Sequence, residues 1–479
     1  MKKQEKKTVC GLPSVEELRQ AKESSAQSEA YARLEALFDP GTFAELGAYL
    51  KRGFCDFYEG DKDRELEGVV CGYGAVNGVL TYAFAQDATR MKGAIDRKHA
   101  DKICALYDLA QKNGAPVVGI FDSAGADIYE GAAALAAYAR IMRAVSAASG
   151  KIPQIALIGG LCIGCAAATA AMFDFVIPTD KASFYVDSPA FTKVEHAQDV
   201  LAAFNGSDIL TAISYVRTLL GYLPSNATEG VSVGESTDDL NRRLNAAAIT
   251  DRAADVIAAV ADNGIYLETA GETAPGMTTA FALIGGVRCG IVATSYATDE
   301  GRITADGARK AAKFVSFCDA FAIPVVTLVD SLGLSVSAES EGSPFSAELG
   351  RLAMAYAASS MPKITVVLGH AIGAAFTLLG AKALGADVCY ALDRSEIGVL
   401  PSDSAVAFVS EQLAGFADTK EELIGRWRAS VASPVAAASL GEIDDIVSAE
   451  ELRQRICSAL FMLASKGTAR DYRHAVRPF

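Results

Sequence analysis

No apolar stretch in this chain reaches the roughly 18 to 20 residues needed to cross a bilayer, so a membrane-spanning protein is not expected. The first residues, Met1 to Lys7, are basic but lead into polar sequence, unlike a secretory signal. A cytoplasmic location is the expectation. Basic charge is in short supply, with a formal net charge of −14. An acidic chain is poorly suited to nucleic acid, and a phosphorylated ligand would need a local basic patch. Histidine is scarcer still, with four in the chain. The ten cysteines are scattered and mostly lie in apolar stretches, which reads as reduced, buried thiols. Cys162-Ile-Gly-Cys165 is the single CxxC. Nothing completes it into a zinc site, and no metal is expected.

What the chain does have is length and an internal repeat. Its 479 residues are too many for one ordinary core. Gly114-Ala-Pro-Val-Val-Gly-Ile-Phe-Asp-Ser-Ala-Gly125 matches Ala322-Ile-Pro-Val-Val-Thr-Leu-Val-Asp-Ser-Leu-Gly333. Pro116 and Pro324, Asp122 and Asp330, and Gly125 and Gly333 are each 208 residues apart. Asn77-Gly78 and Gly285-Gly286 keep that spacing, while Gly164 and Gly373 are 209 apart, as one loop insertion would cause. Each repeat predicts a hairpin closed by a two-residue turn, then helix (102–111 or 306–321), strand (117–121 or 325–329), helix and strand (154–158 or 364–368). That strand runs into a Gly/Ala loop and a further helix. Such alternation argues for an α/β fold with a parallel-rich sheet. We divide the chain into domains 1–235 and 236–479, with a linker over 221–241, helical leads over residues 1 to about 60, and an amphipathic tail over 436–466.

Ligands in such sheets bind beyond the carboxyl ends of strands. Two loops per repeat are built of small residues there, Ser123-Ala-Gly-Ala-Asp127 and Gly160-Leu-Cys-Ile-Gly-Cys-Ala-Ala167 in the first. Small residues permit close approach to backbone N–H groups. A pair of such groups aimed at one point can hold an oxyanion. Tight helix–sheet packing also favours Gly and Ala, but two paired loops repeated at a near-fixed offset favour a site.

The window Asp122-Ser-Ala-Gly-Ala-Asp-Ile-Tyr-Glu-Gly131 resembles the Asp-Ser-Gly-Gly-Ala-Arg-Ile-Gln-Glu-Gly run of acyl-CoA carboxyltransferases, in the crotonase superfamily. Arg302 to Phe314, Cys318 to Pro324, Leu384-Gly-Ala-Asp387, Gly441 to Val447 and Tyr215 to Asn226 are similar to further segments of that family. The resemblance spans roughly residues 30 to 465 and implies two tandem crotonase-like domains. It implies carboxyl transfer between carboxybiotin and an acyl-CoA of the acetyl, propionyl or methylmalonyl type. The N-terminal lobe would stabilise a thioester enolate through Gly125, Ala126, Gly164 and Cys165. The C-terminal lobe would hold the ureido oxygen of biotin through Gly333, Leu334, Gly373 and Ala374. Biotin's own nitrogen would serve as base, which fits the scarcity of histidine. Ala168 stands where a crotonase-type hydratase would place a catalytic Glu, which argues against hydratase chemistry. Arg90, Lys92, Gly93 and Lys98, with Arg97 and Lys102, are candidates to meet the phosphates of coenzyme A, a solvated helix face being the alternative. Of the histidines, His370 is the candidate ligand contact, while His99, His196 and His474 have no catalytic context.

The chain departs from the family's pattern at Ala124, Asp127, Cys165, Ser331-Leu332, Gly369-His370 (in place of a basic pair), Ala374 and Pro401-Ser-Asp-Ser404. Most lie in the second lobe. A catalytically degenerate structural or regulatory subunit is therefore the rival reading. The chain has no Ala-Met-Lys-Met-type biotinylation site and no ATP-grasp region. The resemblance then implies biotin on a separate biotin carboxyl carrier protein, and a biotin carboxylase or membrane decarboxylase subunit. It also implies a homo-oligomer, a dimer or hexamer, or a hetero-oligomer with a paralogous chain.

Overall fold

The computed structural model describes residues 14–52, 66–186, 207–231, 233–337, 344–409, 419–466 and 476. Cys10, Cys55, His196 and His474 lie outside them. Among the described residues no helix is long and apolar enough to cross a membrane.

The first sheet has seven strands: β1 (Ala44–Leu46), β2 (Val69–Val76), β3 (Val79–Gln86), β4 (Val117–Ser123), β5 (Gln154–Ile163), β6 (Phe175–Pro178) and β7 (Ser183–Tyr185). Their order is β1-β2-β3-β4-β5-β6, with β7 beside β5. The β1–β2–β3 pairings are antiparallel and those from β3 to β6 are parallel. The second sheet contains β8 (Tyr266–Thr269), β9 (Met277–Ile284), β10 (Val287–Thr294), β11 (Val325–Ser331), β12 (Lys363–Ile372), β13 (Val388–Leu392), β14 (Glu396–Gly398) and β15 (Asp445–Val447). It runs β15-β13-β12-β11-β10-β9-β8, with β14 beside β12. The same strands recur at the same places, so the sequence repeat is a structural one.

Local chemistry accounts for the shared elements. Both hairpin turns need positive φ at both central residues, met by Asn77 (51°) and Gly78 (78°) and by Gly285 (60°) and Gly286 (76°). All seven residues of β4, and of β11, are buried, as expected of parallel strands covered on both faces. The helix Arg97–Asn113 starts at Asp96, whose side chain accepts from the His99 amide. It ends at Gly114 in the left-handed region.

Two expectations are corrected. The N-terminal lead is not wholly helical. After helices Val15–Ser25 and Glu29–Leu37, β1 lies so close along β2 that a Cβ on Gly72 would be 2.4 Å from the Ala44 oxygen. The tail contains β15, paired in parallel with β13, before the helix Leu452–Leu463. Both strands are three residues long, too short to show a period of two. Within the span read as linker, Val233 already pairs with Val287 of the second hairpin.

The hairpin turns are clamped alike by unlike partners. Asp39 accepts from the Asn77 and Gly78 amides and pairs with Arg217 at 2.7 Å. Asp262 accepts from the Gly285 and Gly286 amides and pairs with Arg453 at 2.6 Å. Arg453 is fully buried, whereas the Asp39 and Arg217 side chains are about a quarter exposed.

An aromatic cluster joins the lobes. Phe175 of β6 meets Phe317 edge-on at 4.8 Å between ring centres, and Phe317 also packs on Phe321 and Phe281. Beside it a small cavity of about 30 Å³ is lined by Asp174, Lys310 and Lys313 among others. Burial pushes the Asp174 carboxyl up to about 7 and the Lys313 ammonium down to about 8. Phe317→Ala should cost about 3–5 kcal/mol by opening a cavity in this seam, measured as a lowered denaturant midpoint. An unchanged midpoint would show that the seam contributes little.

Candidate active site

The Asp-Ser-x-Gly run at the end of β4, and again at the end of β11, is a built corner rather than a loop. In the first lobe the buried Asp122 takes hydrogen bonds from the Leu161 amide at 3.1 Å and the Arg33 guanidinium at 3.0 Å. Its own amide donates to Gln86. The carboxylate thereby ties β4 to the bulge in β5. A Cβ on Gly160 would lie 2.3 Å from an Asp122 carboxylate oxygen, so only glycine fits there. The Ser123 hydroxyl accepts from the Gly125 amide at 3.2 Å, turning the chain into Gly125 at φ +115°.

The second lobe repeats each part. Asp330 accepts from the His370 amide at 2.8 Å, Gly369 is pressed against its carboxylate, and Ser331 accepts from the Gly333 amide at 3.2 Å. Gly333 has φ +115°. The second lobe's backbone keeps this corner despite its departures from the family's pattern. Gly125 and Gly333, and Gly164 and Gly373, take the same positive torsions. Ala126, Cys165, Leu334 and Ala374 stand outside the positive-φ set, so a Cβ causes no backbone strain there.

These torsions free two amides per lobe. Ile95 donates to the Gly125 oxygen and accepts from the Asp127 amide, both at 2.9 Å. In that parallel bridge the Ala126 N–H points away from Ile95. Ile303 brackets Leu334 in the same way through Gly333 and Ser335. Cys165 and Ala374 are the first residues of the helices Cys165–Ala171 and Ala374–Leu378. Amides in a first helical turn have no acceptor within their helix. The neighbouring strand ends are held in register, Ser123 beside Cys162 and Ser331 beside Ala371. Among the described residues, each lobe thus presents N–H groups from two adjacent loops without an internal acceptor, an arrangement that suits a developing oxyanion.

The basic run divides. Arg90 pairs with Asp87 at 3.3 Å and donates to the Glu67 carbonyl. Lys102 is buried and donates to the Val69 carbonyl at 2.6 Å. Gly93 is buried, and a Cβ there would be 2.1 Å from the Asp122 carbonyl oxygen. Arg90, Gly93 and Lys102 are thus each engaged within the fold. Met91, Lys92 and Gly93 form a left-handed run whose Lys92 oxygen accepts from the Ala124 amide. Asp299, Glu300 and Gly301 repeat it, with the Glu300 oxygen accepting from Leu332. The Lys92 and Arg97 side chains are exposed and Lys98 is half-buried.

His370 lies against the second corner, its Nδ1 2.9 Å from Asp330 and its ring stacked on Tyr296 at 4.8 Å. His99 is fully buried beside Gln86. Cys162 is buried, and burial raises its thiol above the ordinary range, whereas Cys165 is exposed. No metal-ligating group of three or more residues occurs among the described residues. Asp127 is buried and ion-paired with Arg52. Sequence reasoning missed the roles of Asp122, Asp330, Ser123 and Ser331. Their recurrence 208 residues apart was the available signal. Arg33 carried none, because its partner lies 89 residues away.

The carboxyl transferase domain family matches residues 23–476. The chain is 34% identical over 472 residues to the methylmalonyl-CoA decarboxylase subunit alpha of Propionigenium modestum, covering 92% of this chain and 91% of that one. It is 34% identical to the propionyl-CoA carboxylase beta chain of Saccharopolyspora erythraea, covering 92% and 88%. Among solved structures, a transcarboxylase 12S hexamer with methylmalonyl-coenzyme A and methylmalonic acid bound is similar at a TM-score of 0.85 and 31% identity, over 97% of this chain and 95% of that one.

Arg33→Met would leave Asp122 buried without its cation and should cost about 3–5 kcal/mol. Arg140→Met, which breaks an exposed pair with Asp101, should cost less than about 1 kcal/mol. Thermal melts of the two variants compare them directly, and equal shifts would refute the anchoring role.

Proposed function

As a member of the carboxyl transferase domain family, the chain is an acyl-CoA carboxyltransferase, and we propose that its two corners divide the transfer between them. The first lobe, within 1–235, takes the acyl thioester. The second, within 236–479, takes biotin. The observation that carries this reading is the equivalence of the two sites. Freed amides at Ala126 and Cys165 recur at Leu334 and Ala374, on the same torsions and from the same corner. An intact second corner also favours the enzyme over a degenerate subunit.

The residues derive a simple division of labour. Loss of the carboxyl group from a methylmalonyl-type thioester places negative charge on the thioester oxygen. The Ala126 and Cys165 N–H groups, fixed before the reaction, meet that charge without reorganising. Biotin, when bound, supplies the nitrogen that accepts or gives up the carboxyl group. The Leu334 and Ala374 amides would hold its ureido oxygen. Lys92 and Arg97, both exposed, and Lys98, which also donates to the Arg52 carbonyl at 3.4 Å, would meet the phosphates of coenzyme A. His370 lies at the second corner, bonded to Asp330, and would act on the biotin site through that carboxylate.

Methylmalonyl-CoA is the first acyl group to test, because the similar proteins are named for it. Biotin would arrive on a separate carrier protein, with a biotin carboxylase or a membrane decarboxylase subunit as the further partner. Exposed apolar side chains flank both corners: Ile128 and Val186 at the first, Val336 and Val399 at the second. They suit a hexamer in which one subunit's first lobe faces another's second. A cytoplasmic location is consistent with the free cysteines of the described residues.

Purified protein given methylmalonyl-CoA and free biotin should release carbon dioxide. Ala126→Pro or Leu334→Pro, each deleting one amide hydrogen, should lower kcat by about 10²–10³-fold while the melting temperature confirms folding. No turnover together with no thermal shift from methylmalonyl-CoA would sink this reading. Alkylation of the native protein should favour Cys165, the one exposed thiol among the described cysteines. Methylmalonyl-CoA should slow that labelling.

A further inference from the structure

The two corners share a buried carboxylate but not the cation that balances it. In the first lobe the cation is Arg33, which stays charged at any working pH. It comes from a separate helix, and the loop residue at the matching position is Leu161. In the second lobe that loop position is His370. Its backbone N–H and its Nδ1 both reach the same Asp330 oxygen, at 2.8 and 2.9 Å. Among the described residues, His370 is the sole ion-pair partner of Asp330.

The surroundings offer no substitute. Glu396 stands in register opposite His370 on β14, but it accepts from the Ser402 amide and hydroxyl and pairs with Arg428 at 3.0 Å. Tyr296 covers one face of the ring, and burial raises its phenol, so it stays neutral. Glu300 and Arg302 beside Tyr296 pair with each other at 2.7 Å. A neutral His370 would leave the Asp330 charge unbalanced in a buried corner, which is costly.

We propose that His370, as the imidazolium, is a positioning residue that latches the second-lobe loop. Through Asp330 it holds the strand that runs from Gly369 into Gly373, and so sets the aim of the Leu334 and Ala374 amides. This rests on the reading that the second lobe holds the ureido oxygen of biotin. The first lobe carries the same latch in a form that does not titrate.

The hydrogen bond and charge of Asp330 raise the His370 pKa, against burial, which lowers it. A raised value fixes the sign. The latch is fully present below the unfolded pKa of about 6.5, and it is lost as pH rises through the higher folded value. The biotin-dependent step should weaken on the alkaline side while thioester binding in the first lobe does not change.

The test uses the full chain with methylmalonyl-CoA and free biotin across neutral to alkaline pH. Wild-type kcat should fall through one ionisation, with KM for methylmalonyl-CoA constant. His370→Lys, which keeps a cation, should flatten the profile. His370→Asn, which keeps a donor in the Nδ1 position but no charge, should be flat and roughly ten-fold slower, the worth of about one charge-assisted bond. A flat wild-type profile, or an inflexion that persists in His370→Lys, overturns the latch. If no form turns over while methylmalonyl-CoA still binds, the transfer reading fails instead. The latch is then decided by ¹³C-imidazole titration: a His370 midpoint above the ordinary value upholds it, and an ordinary one refutes it.

Discussion

A carboxylate buried at the end of a parallel strand is the constraint from which both sites follow. Asp122 and Asp330 are each drawn into the corner where one strand must hand its neighbour over to a helix. A buried charge of this kind persists only if every lone pair is met. In this chain a glycine stands opposite each carboxylate, at 160 and 369, where an added Cβ would press on it. Another stands beneath, at 93 and 301, where a Cβ would collide with the aspartate carbonyl. Once the strand ends are pinned, the following serine turns the chain, and the glycine at φ +115° delivers an amide free of internal bonds. The geometry of both loops is thus a by-product of satisfying one charge.

This ordering explains which parts could be read from sequence. The corner is a short run of fixed residue types, so it survives as a recognisable repeat, and with it the two-lobe architecture. Departures such as Ala374 and Cys165 looked like damage because glycine was expected there. Neither carries backbone strain, since the positive torsions belong to Gly373 and Gly164 immediately before them. The basic run was visible as charge. Which cations bond within the fold was not, because Lys102 bonds to a carbonyl in β2 and Arg90 to the Glu67 carbonyl just before it. Arg33 and the short strands β1 and β15 depend on contacts distant in sequence, and no local pattern marks them.

The likeness of the corners also bears on how the chemistry is divided. In the proposed reading each lobe stabilises charge and leaves proton movement to its ligands. Duplication has therefore produced two polarising sites of nearly equal form. Their differences lie in what surrounds them: which cation balances the aspartate, and which apolar side chains border the opening. Under the reading proposed above, those surroundings would let a shared frame take up two ligands as unlike as a thioester and a cyclic urea.

The clamps on the two hairpins show the same economy with a different physical outcome. Asp39–Arg217 and Asp262–Arg453 perform one task from positions that do not correspond along the chain. The first pair meets solvent, where mobile ions screen charges over about 8 Å at physiological strength. The second is enclosed and largely escapes that screening. Added salt will consequently act on one half of the molecule more than on the other, so that the twin domains, alike in backbone, behave in a concentrated electrolyte as two different materials.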